Sequence, residues 1–590
     1  MRMAESNGPG LGQRRNWELI RRVSPFARRQ LRLFVLALVL LPPLAAANAV
    51  GPILIQRAID GPAHTGDLSG LQWIALLYGV TVFVRLGLQA WQGYLLQQAG
   101  QRMTAEIRSE LFAHVTRLSI SYFNRTPVGK LITRLTSDVE ALGEVFSTGG
   151  VGILSDTVSI VIVAAFMFSL RWDLALLVTL LLFPITALAI WFQKIYRDAN
   201  LRVREMLSTL NAQLQENLVG VSVVQMFRRE ERNSEQFDEA NREYIRAVDE
   251  TILYDSALSA AMEWISLVAI AGVLWYGGGQ VLQNALTFGT LVAFIQYAQR
   301  LFDPIRQLGE RFTSIQSGFT SLERITGILD EPIEIKDPVV PESLPTDGSG
   351  EVVFQNVWFA YKPGEYVLKN VSFTIRPGQT VALVGPTGSG KSTIIRLLCR
   401  LYEPTQGRIL IDGVDISQIT QEELRRRIGV ILQEGFLFSG DIRSNIALGE
   451  TYSDGQIVQA ARSMNVDRFI EELPEGYKTE VRERGNNLSG GQKQLLAFAR
   501  AAVRDPKILI LDEATASLDV GTEALVQQAL DRLLKKRTCI LIAHRLSTIR
   551  NVERILVLRR GELIEDGSHE QLMAIHGLYE SLYKLQALTA

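Results

Sequence analysis

The sequence has few cysteines and almost no net charge. Its two cysteines, Cys399 and Cys539, have neither the spacing of a metal site nor that of a redox pair. Two cysteines without such spacing are most simply interpreted as reduced thiols, which predicts a cytosolic location for the half of the chain that contains them. The net charge of −1 argues against a polyanionic partner, so we expect no nucleic acid. We also expect no cleavable signal peptide at the basic amino terminus.

Long apolar runs occur only in the first half of the 590 residues. A helix needs about 20 mainly apolar residues to cross a bilayer. Several of these runs are apolar on every face, whereas a surface helix has a polar stripe, so core helices of a soluble protein are the disfavoured alternative. The six predicted spans are Leu33–Ile55, Leu71–Leu96, Val151–Leu170, Leu174–Phe192, Ala257–Tyr276 and Leu286–Leu308.

Basic residues predict the orientation of these spans. Residues 1–32 contain eight arginines, and the long segments between spans two and three and between spans four and five are rich in Lys and Arg. Basic segments stay on the cytoplasmic side, so we expect both termini there. Trp17–Leu33 fits an amphipathic helix on the inner leaflet. A disordered basic tail is the alternative, above all for residues 1–14.

The two long inner segments are predicted to be helical hairpins, with their tips at the breaks in residues 123–129 and Val219–Val221. Three charged residues, Arg85, Asp156 and Glu263, lie within or near the spans. A charge at such depth faces a protein interior or a water-filled cavity. A substrate contact, a structural ion pair and a position at the membrane edge are the alternatives, and we favour the last two.

The second half contains a glycine-rich loop between an apolar strand, Thr380–Val384, and a helical segment. This is the context of a phosphate-binding P-loop, in which backbone N–H groups and a helix N-terminus converge on phosphate. Lys391 would reach the β- and γ-phosphates of ATP, and Ser392 would hold Mg²⁺. The predicted ATP-binding residues of the loop are Gly385, Pro386, Thr387, Gly388, Ser389, Gly390, Lys391, Ser392 and Thr393.

A second apolar strand, Lys507–Leu511, ends in Asp512 and Glu513. Asp512 is suited to the metal, and Glu513 to orienting or deprotonating the attacking water. A strand ending in Asp-Glu is weak evidence alone. It becomes strong at about 120 residues after a P-loop.

The stretch Leu488-Ser489-Gly490-Gly491-Gln492 matches the signature motif of the ATP-binding cassette (ABC) family without a change. With these motifs the chain resembles a type IV ABC exporter, a half-transporter, over essentially its whole length. The resemblance implies a multi-domain fold, with a six-helix transmembrane domain followed by an α/β P-loop NTPase domain. The predicted bounds are 1–32 for the N-terminal segment, 33–330 for the transmembrane domain, 331–349 for a linker and 350–590 for the nucleotide-binding domain.

The resemblance implies further site residues. Tyr361 would lie against adenine, Asp519 would contribute from the D-loop, and Arg482 stands where the family usually has glycine. Gln433 would sense Mg²⁺, and His544 would contact the γ-phosphate. The implied catalytic residues are Glu513, His544 and Gln433, the Mg²⁺ ligands are Ser392, Gln433 and Asp512, and the signature residues at ATP are Ser489, Gly490, Gly491 and Gln492.

The resemblance also implies ATP-driven export of a hydrophobic or amphipathic molecule, a drug or a lipid, by alternating access. In this family the signature of one subunit covers the ATP on the P-loop of another. A second half-transporter is therefore an expected partner; a homodimer is slightly favoured, and a heterodimer is the alternative. The expected cofactors are ATP and Mg²⁺, and the expected location is the inner or plasma membrane. A flippase of lipids or lipid-linked glycans, an ATP-gated channel or channel regulator, and a soluble ABC ATPase are the alternatives; the spans argue against the last.

Overall fold

The computed structural model describes residues 19, 21–432, 435–512, 520–542, 550 and 552–589. The chain divides into two compact units. The first contains Met1–Arg117 and Thr126–Glu331, and the second contains Leu118–Arg125 and Pro332–Ala590. A short segment from within the first half thus belongs to the second unit.

The first unit is helical. Four of its helices are 48, 48, 53 and 42 residues long, about twice the length that a membrane crossing takes. In chain order the helices up to residue 329 are α1 (residues 21–29), α2 (Leu31–Val39), α3 (Leu41–Ala58), α4 (Leu68–Val115), α5 (Ile120–Arg125, in the second unit), α6 (Val128–Thr133), α7 (Val139–Glu144), α8 (Gly150–Leu170), α9 (Trp172–Val219), α10 (Val221–Met226), α11 (Glu230–Leu282) and α12 (Phe288–Leu329).

Four helical stretches in the described part of the chain are long and apolar enough to cross a membrane. They are Leu31–Ala63, Leu68–Val115, Val128–Leu170 and Glu230–Leu282. The remaining two predicted spans coincide with the first part of α9 and of α12. The expected helical transmembrane domain is confirmed, and the number of six spans stays a prediction.

The core of the first unit lies where α12 meets α3, α8, α9 and α11. Phe294, Tyr297 and Leu301, one turn apart on α12, are fully buried there. The hydroxyl group of Tyr297 donates a 2.5 Å hydrogen bond to the carbonyl oxygen of Ala49 in α3. A buried polar group is thereby satisfied inside an apolar helix bundle.

The second unit is an α/β domain with three sheets. A six-stranded sheet has the order β12-β11-β3-β10-β9-β6, with β12 antiparallel to the rest; a four-stranded antiparallel sheet has the order β2-β1-β4-β5; and β7 pairs with β8. The strands are β1 (Val352–Ala360), β2 (Tyr366–Ile375), β3 (Thr380–Val384), β4 (Gln406–Ile411), β5 (Val414–Asp415), β6 (Ile428–Ile431), β7 (Gly440–Asp441), β8 (Glu480–Val481), β9 (Ile508–Asp512), β10 (Thr538–Ile542), β11 (Arg554–Arg559) and β12 (Glu562–Gly567).

Helices cover both faces of the six-stranded sheet, as a buried parallel sheet requires. Those with described bounds are α13 (Lys391–Leu398), α14 (Gln421–Arg427), α15 (Ile442–Ala447), α16 (Asp454–Ser463), α17 (Asp467–Glu471), α18 (Gly490–Arg504), α19 (Val520–Leu534), α20 (His569–Ile575) and α21 (Leu578–Thr589).

Two hydrophobic cores lie on opposite faces of this sheet. Side chains alternate between the faces along a strand. On β3, Val381 and Leu383 belong to one core, together with α13. Ala382 and Val384 belong to the other, together with α18. The P-loop helix α13 and the signature helix α18 therefore pack on opposite faces.

Candidate nucleotide-binding site

The P-loop connects the buried end of β3 to the first turn of α13. Two of its glycines, Gly388 (φ 79°) and Gly390 (φ 107°), have left-handed backbone conformations that other residues rarely adopt. A Cβ atom on Gly390 would also lie 2.6 Å from Cδ2 of Leu368. Glycine at this N-cap position therefore permits both the turn and the close approach of β2.

The interior of the loop is suited to an anion. Lys391 is 8% exposed, and its Nζ atom donates hydrogen bonds to the carbonyl oxygens of Gly385 (2.7 Å) and Pro386 (3.1 Å). The hydroxyl of Ser389 is buried without a hydrogen-bond partner among the described residues. A buried cation, an unsatisfied hydroxyl and the N-terminus of α13 together fit a phosphate group.

The aromatic ring predicted to contact adenine lies beside this loop. Tyr361 Oη is 3.1 Å from Oγ1 of Thr393 and accepts a 3.1 Å hydrogen bond from Arg396 Nη1. Its ring packs edge-on against Phe359 and Tyr402 and remains 41% exposed. A fixed, partly exposed ring next to the P-loop is a suitable surface for stacking a purine base.

The other predicted catalytic residues follow strands that end at one edge of the six-stranded sheet. Strands β3, β10, β9 and β6 are parallel neighbours, and their carboxyl ends lie at this edge. Asp512, half-buried, is the last residue of β9. The P-loop and Asp512 are thus at the same edge, where α/β proteins bind ligands. Gln433, Glu513, Asp519 and His544 lie outside the described residues.

Two oxygen donors at this edge fit Mg²⁺. Ser392 is exposed in the first turn of α13, and Asp512 contributes a carboxylate. Magnesium prefers oxygen ligands and usually keeps waters and substrate phosphates in its coordination sphere. The described residues contain no cluster of three or more acidic, His or Cys side chains that would bind a metal unaided. The two donors are therefore suited to a metal that arrives with ATP.

The signature motif forms the N-terminus of α18. Ser489 is the N-cap: its Oγ accepts a hydrogen bond from Gln492 N (3.3 Å), and its own N–H donates to Gln492 Oε1 (2.9 Å). Leu488 anchors the motif in the core, while Ser489 and Gly490 are exposed. Gln492 completes this capping box through its Oε1 atom. Its predicted contact with ATP would therefore have to use another atom of the side chain, or the capping hydrogen bond would have to break.

One chain does not bring all predicted ATP-binding residues together. Tyr361, the P-loop and Asp512 are grouped around the edge of the sheet and α13. Ser489, Gly490, Gly491 and Gln492 begin a helix that packs on the opposite face. An exposed N-terminus of a 15-residue helix is itself a suitable anion site. The motif is therefore available to a nucleotide held by another chain.

Comparison with known proteins decides the family. A family model of the ABC transporter transmembrane region matches residues 34–305, and a model of the ABC transporter matches residues 368–516. An ATP-dependent lipid A-core flippase of Syntrophus aciditrophicus is 35% identical over 571 residues, which are 96% of this chain and 94% of the relative. A fatty acid ABC transporter ATP-binding/permease protein of Mycobacterium bovis is 40% identical over 544 residues, 91% and 85% of the two chains. The chain belongs to the ABC transporter family.

A solved structure shows that the chain also has the fold of an ABC exporter. The structure of a bacterial Atm1-family ABC exporter with ATP bound matches with a TM-score of 0.76 and 30% identity, over 94% of this chain and 98% of that one. The predicted fold class is confirmed: a helical transmembrane domain is followed along the chain by an α/β nucleotide-binding domain. The chain is an ATP-driven exporter whose ATPase is coupled to transport, and its half-transporter fold implies dimerisation.

Sequence reasoning missed two residues that organise the ATPase unit. Arg500 of α18 is partly buried and donates from Nε to Asn445 O (2.5 Å) and from Nη1 to Phe436 O (2.6 Å), which fixes the segment around Phe436. Burial lowers the pKa of Arg500 to about 10. Its signal was an arginine within the apolar run of the signature helix. Tyr402, whose ring contacts Tyr361, had no signal of this kind.

The intramembrane charges have different environments. Asp156 of α8 forms the ion pair that a structural role requires, with its Oδ2 2.6 Å from Nε of Arg311 in α12. Nε of Arg85 is buried without a hydrogen-bond partner among the described residues. Glu263 is exposed on α11. For Asp156 the structure favours the ion pair over a substrate contact.

Proposed function

We propose that this exporter works as a homodimer that moves an amphipathic lipid or a similar acyl-chain molecule out of the inner or plasma membrane. The observation that carries the proposal is the placement of an intact P-loop and an intact signature on opposite faces of one sheet. A single chain therefore offers both halves of an ATP site. Two copies related by a two-fold axis would form two complete sites.

Within such a site, the residues of the chain have distinct roles. Lys391 and the P-loop N–H groups bind the β- and γ-phosphates, and Ser392 and Asp512 hold Mg²⁺ with Gln433. Glu513 orients and deprotonates water, and His544 contacts the γ-phosphate. Ser489 and Gly490 of the other copy donate hydrogen bonds to the same phosphate, a contact that ATP offers and ADP lacks. ATP therefore favours the closed dimer, and hydrolysis allows it to open.

The relatives support a lipid-like substrate. One is named for lipid A-core and the other for fatty acid, and both names describe molecules with acyl chains. The predicted orientation places both termini and the ATPase unit in the cytoplasm. Closure of the ATPase units would convert the transmembrane domain from an inward-open to an outward-open state.

Reconstitution of the purified protein in lipid vesicles tests this proposal. The complex should have twice the 65.7 kDa chain mass. With ATP and Mg²⁺ on the outside, a fluorescent phospholipid should be moved to the inner leaflet, and Glu513→Gln should stop this movement. Movement of a cationic dye without movement of the lipid would assign a drug substrate instead. ATP-dependent ion leakage without either would indicate a channel.

A further inference from the structure

A cavity of about 790 Å³ lies in the first unit between α1, the end of α4 and the end of α12. It is of the size of small-molecule sites, roughly 300 to 1,000 Å³. None of the residues predicted to bind ATP lines it. The cavity therefore belongs to a different site.

Positive charge dominates the wall of this cavity. Four arginines and one histidine line it, against one glutamate, Glu110. Two of the arginines are neutralised from outside the wall: Arg22 pairs with Asp330, and Arg29 Nη1 lies 3.3 Å from Glu106 Oε2. The side chains of Arg21 and Arg117 form no ion pair or hydrogen bond with another described residue. Because Glu110 supplies the single negative charge of the wall, these two guanidinium groups leave the described wall with a net positive charge.

The floor of the cavity is apolar. Phe26 is buried beneath it, and Leu329 closes one side. The guanidinium carbon of Arg29 lies 5.8 Å from the centre of the Phe26 ring, so cationic and apolar surface are adjacent. An anion with an apolar portion would satisfy both surfaces.

The cavity lies where the chain enters its first membrane-crossing stretch. Helix α1 ends at residue 29, and that stretch begins at Leu31. With the orientation on which the proposed function rests, this is the cytoplasmic side. Basic pockets beside transmembrane helices on this side attract anionic lipid headgroups.

We propose that this cavity binds the phosphate group of an anionic ligand, held by Arg21 and Arg117, with its apolar part against Phe26 and Leu329. Guanidinium groups bind phosphate with two parallel charge-assisted hydrogen bonds. The ligand would contact the residues that fix the end of α12, because His114 Nε2 lies 3.1 Å from Glu331 O and Arg22 pairs with Asp330. Its occupancy would therefore stabilise the junction from which the chain continues into the second unit.

A phospholipid and a soluble phosphate share this chemistry, so the test has two arms. In the first, native mass spectrometry of the full-length protein measures binding of phosphatidylglycerol, with phosphatidylcholine as the zwitterionic reference that has no net charge. In the second, thermal unfolding at constant ionic strength measures binding of inorganic phosphate and pyrophosphate. Both arms compare the wild type with R21Q/R117Q. The matched control is R28Q/R32Q, which removes the same charge from exposed arginines that do not line the cavity.

We expect R21Q/R117Q to weaken phosphatidylglycerol binding roughly tenfold, since each charge-assisted bond contributes more than a neutral one, and we expect R28Q/R32Q to retain wild-type binding. R21K/R117K should recover part of the affinity. Loss of phosphate or pyrophosphate binding alone would support the site and assign a soluble ligand. Equal binding of both probes by site and control variants would overturn the proposal. None of these outcomes depends on ATPase activity, so failure of the proposed export function would be seen separately.

Discussion

Asn124 Nδ2 donates a 2.9 Å hydrogen bond to the hydroxyl group of Tyr402. Asn124 is in α5, which belongs to the second unit although the helices before and after it belong to the first. The ring of Tyr402 packs edge-on against Tyr361, with 5.1 Å between centroids, and Tyr361 Oη lies 3.1 Å from Thr393 Oγ1. Continuous contacts thus join α5 to Tyr361, the tyrosine predicted to contact adenine, and to the P-loop helix.

Replacing Tyr402 by Phe should reduce the coupling of ATP hydrolysis to transport. The ring and its packing remain, while a hydrogen bond of about 1 kcal/mol is lost, which corresponds to roughly fivefold. We expect nucleotide affinity within about twofold of wild type and fewer molecules of the proposed lipid substrate moved per ATP hydrolysed. Tyr452→Phe, which removes a hydroxyl bonded to Glu450, is the control. An unchanged ratio of transport to hydrolysis in Tyr402→Phe would show that the hydrogen bond between Asn124 and Tyr402 does not contribute to coupling.

The assignment of P-loop and signature to different chains predicts a specific pattern of complementation. Two differently tagged chains are co-expressed, and the mixed dimers are isolated through both tags. With Lys391→Ala in one chain and Ser489→Ala in the other, both defects fall in the same shared site and the second site is intact. With both substitutions in one chain beside a wild-type chain, each site carries one defect.

We therefore expect measurable ATP hydrolysis when the substitutions are split between chains and little when they are combined. The homodimers of each single variant are the inactive references. The reverse pattern would place P-loop and signature of one chain at the same nucleotide. Steady-state phosphate release is sufficient to distinguish the two.

Local sequence is sufficient to predict the P-loop, but not the tertiary contacts that hold the nucleotide site in place. The P-loop is a run of nine residues that follows β3 and includes the first turn of α13, so its geometry follows from nearby glycines and from the α13 N-terminus. The supports join residues far apart in the chain. Asn124 and Tyr402 are 278 residues apart, and Arg500 and Asn445 are 55 apart. No periodicity records such pairs, because tertiary packing brings them together.

Arg500→Ala should strongly destabilise the ATPase unit. The partly buried guanidinium donates to Phe436 O and to both the backbone and side-chain oxygens of Asn445. Without it, the two backbone oxygens lose this donor, whereas Asn445 Oδ1 keeps its hydrogen bond from the N–H of Phe438. The cost is about 3 kcal/mol, or roughly 5–10 °C in the midpoint of thermal unfolding. Arg504→Ala is the matched control on the same helix, because its ion pair with Glu450 is partly exposed and contributes about 1 kcal/mol or less. Equal shifts for the two variants would contradict this role of Arg500.

The two cysteines should be unreactive in the folded protein. Cys399 is 7% exposed and Cys539 is fully buried, and burial raises the pKa of both thiols to about 12. At pH 8 only about one thiol in ten thousand would be the reactive thiolate. N-ethylmaleimide should therefore leave ATP hydrolysis and the intact mass unchanged, and should add two labels after denaturation. Stoichiometric labelling of the native protein within minutes would show that one of these cores opens.

Gly152→Ala should disturb the ion pair between Asp156 and Arg311. The guanidinium of Arg311 passes so close to Gly152 that a Cβ atom there would overlap its Nη1 and Cζ atoms. The arginine would have to move away from Asp156, leaving a carboxylate uncompensated inside the helix bundle at a cost of about 3 kcal/mol. Gly87→Ala in α4 is the control, because its Cβ would meet no atom within 4 Å. Since alanine favours helix over glycine by about 1 kcal/mol, Gly87→Ala should raise or preserve the unfolding temperature in detergent, whereas Gly152→Ala should lower it by several degrees. Equal effects of the two substitutions would mean that Arg311 can pair with Asp156 in another side-chain conformation, so that the ion pair does not require glycine at position 152.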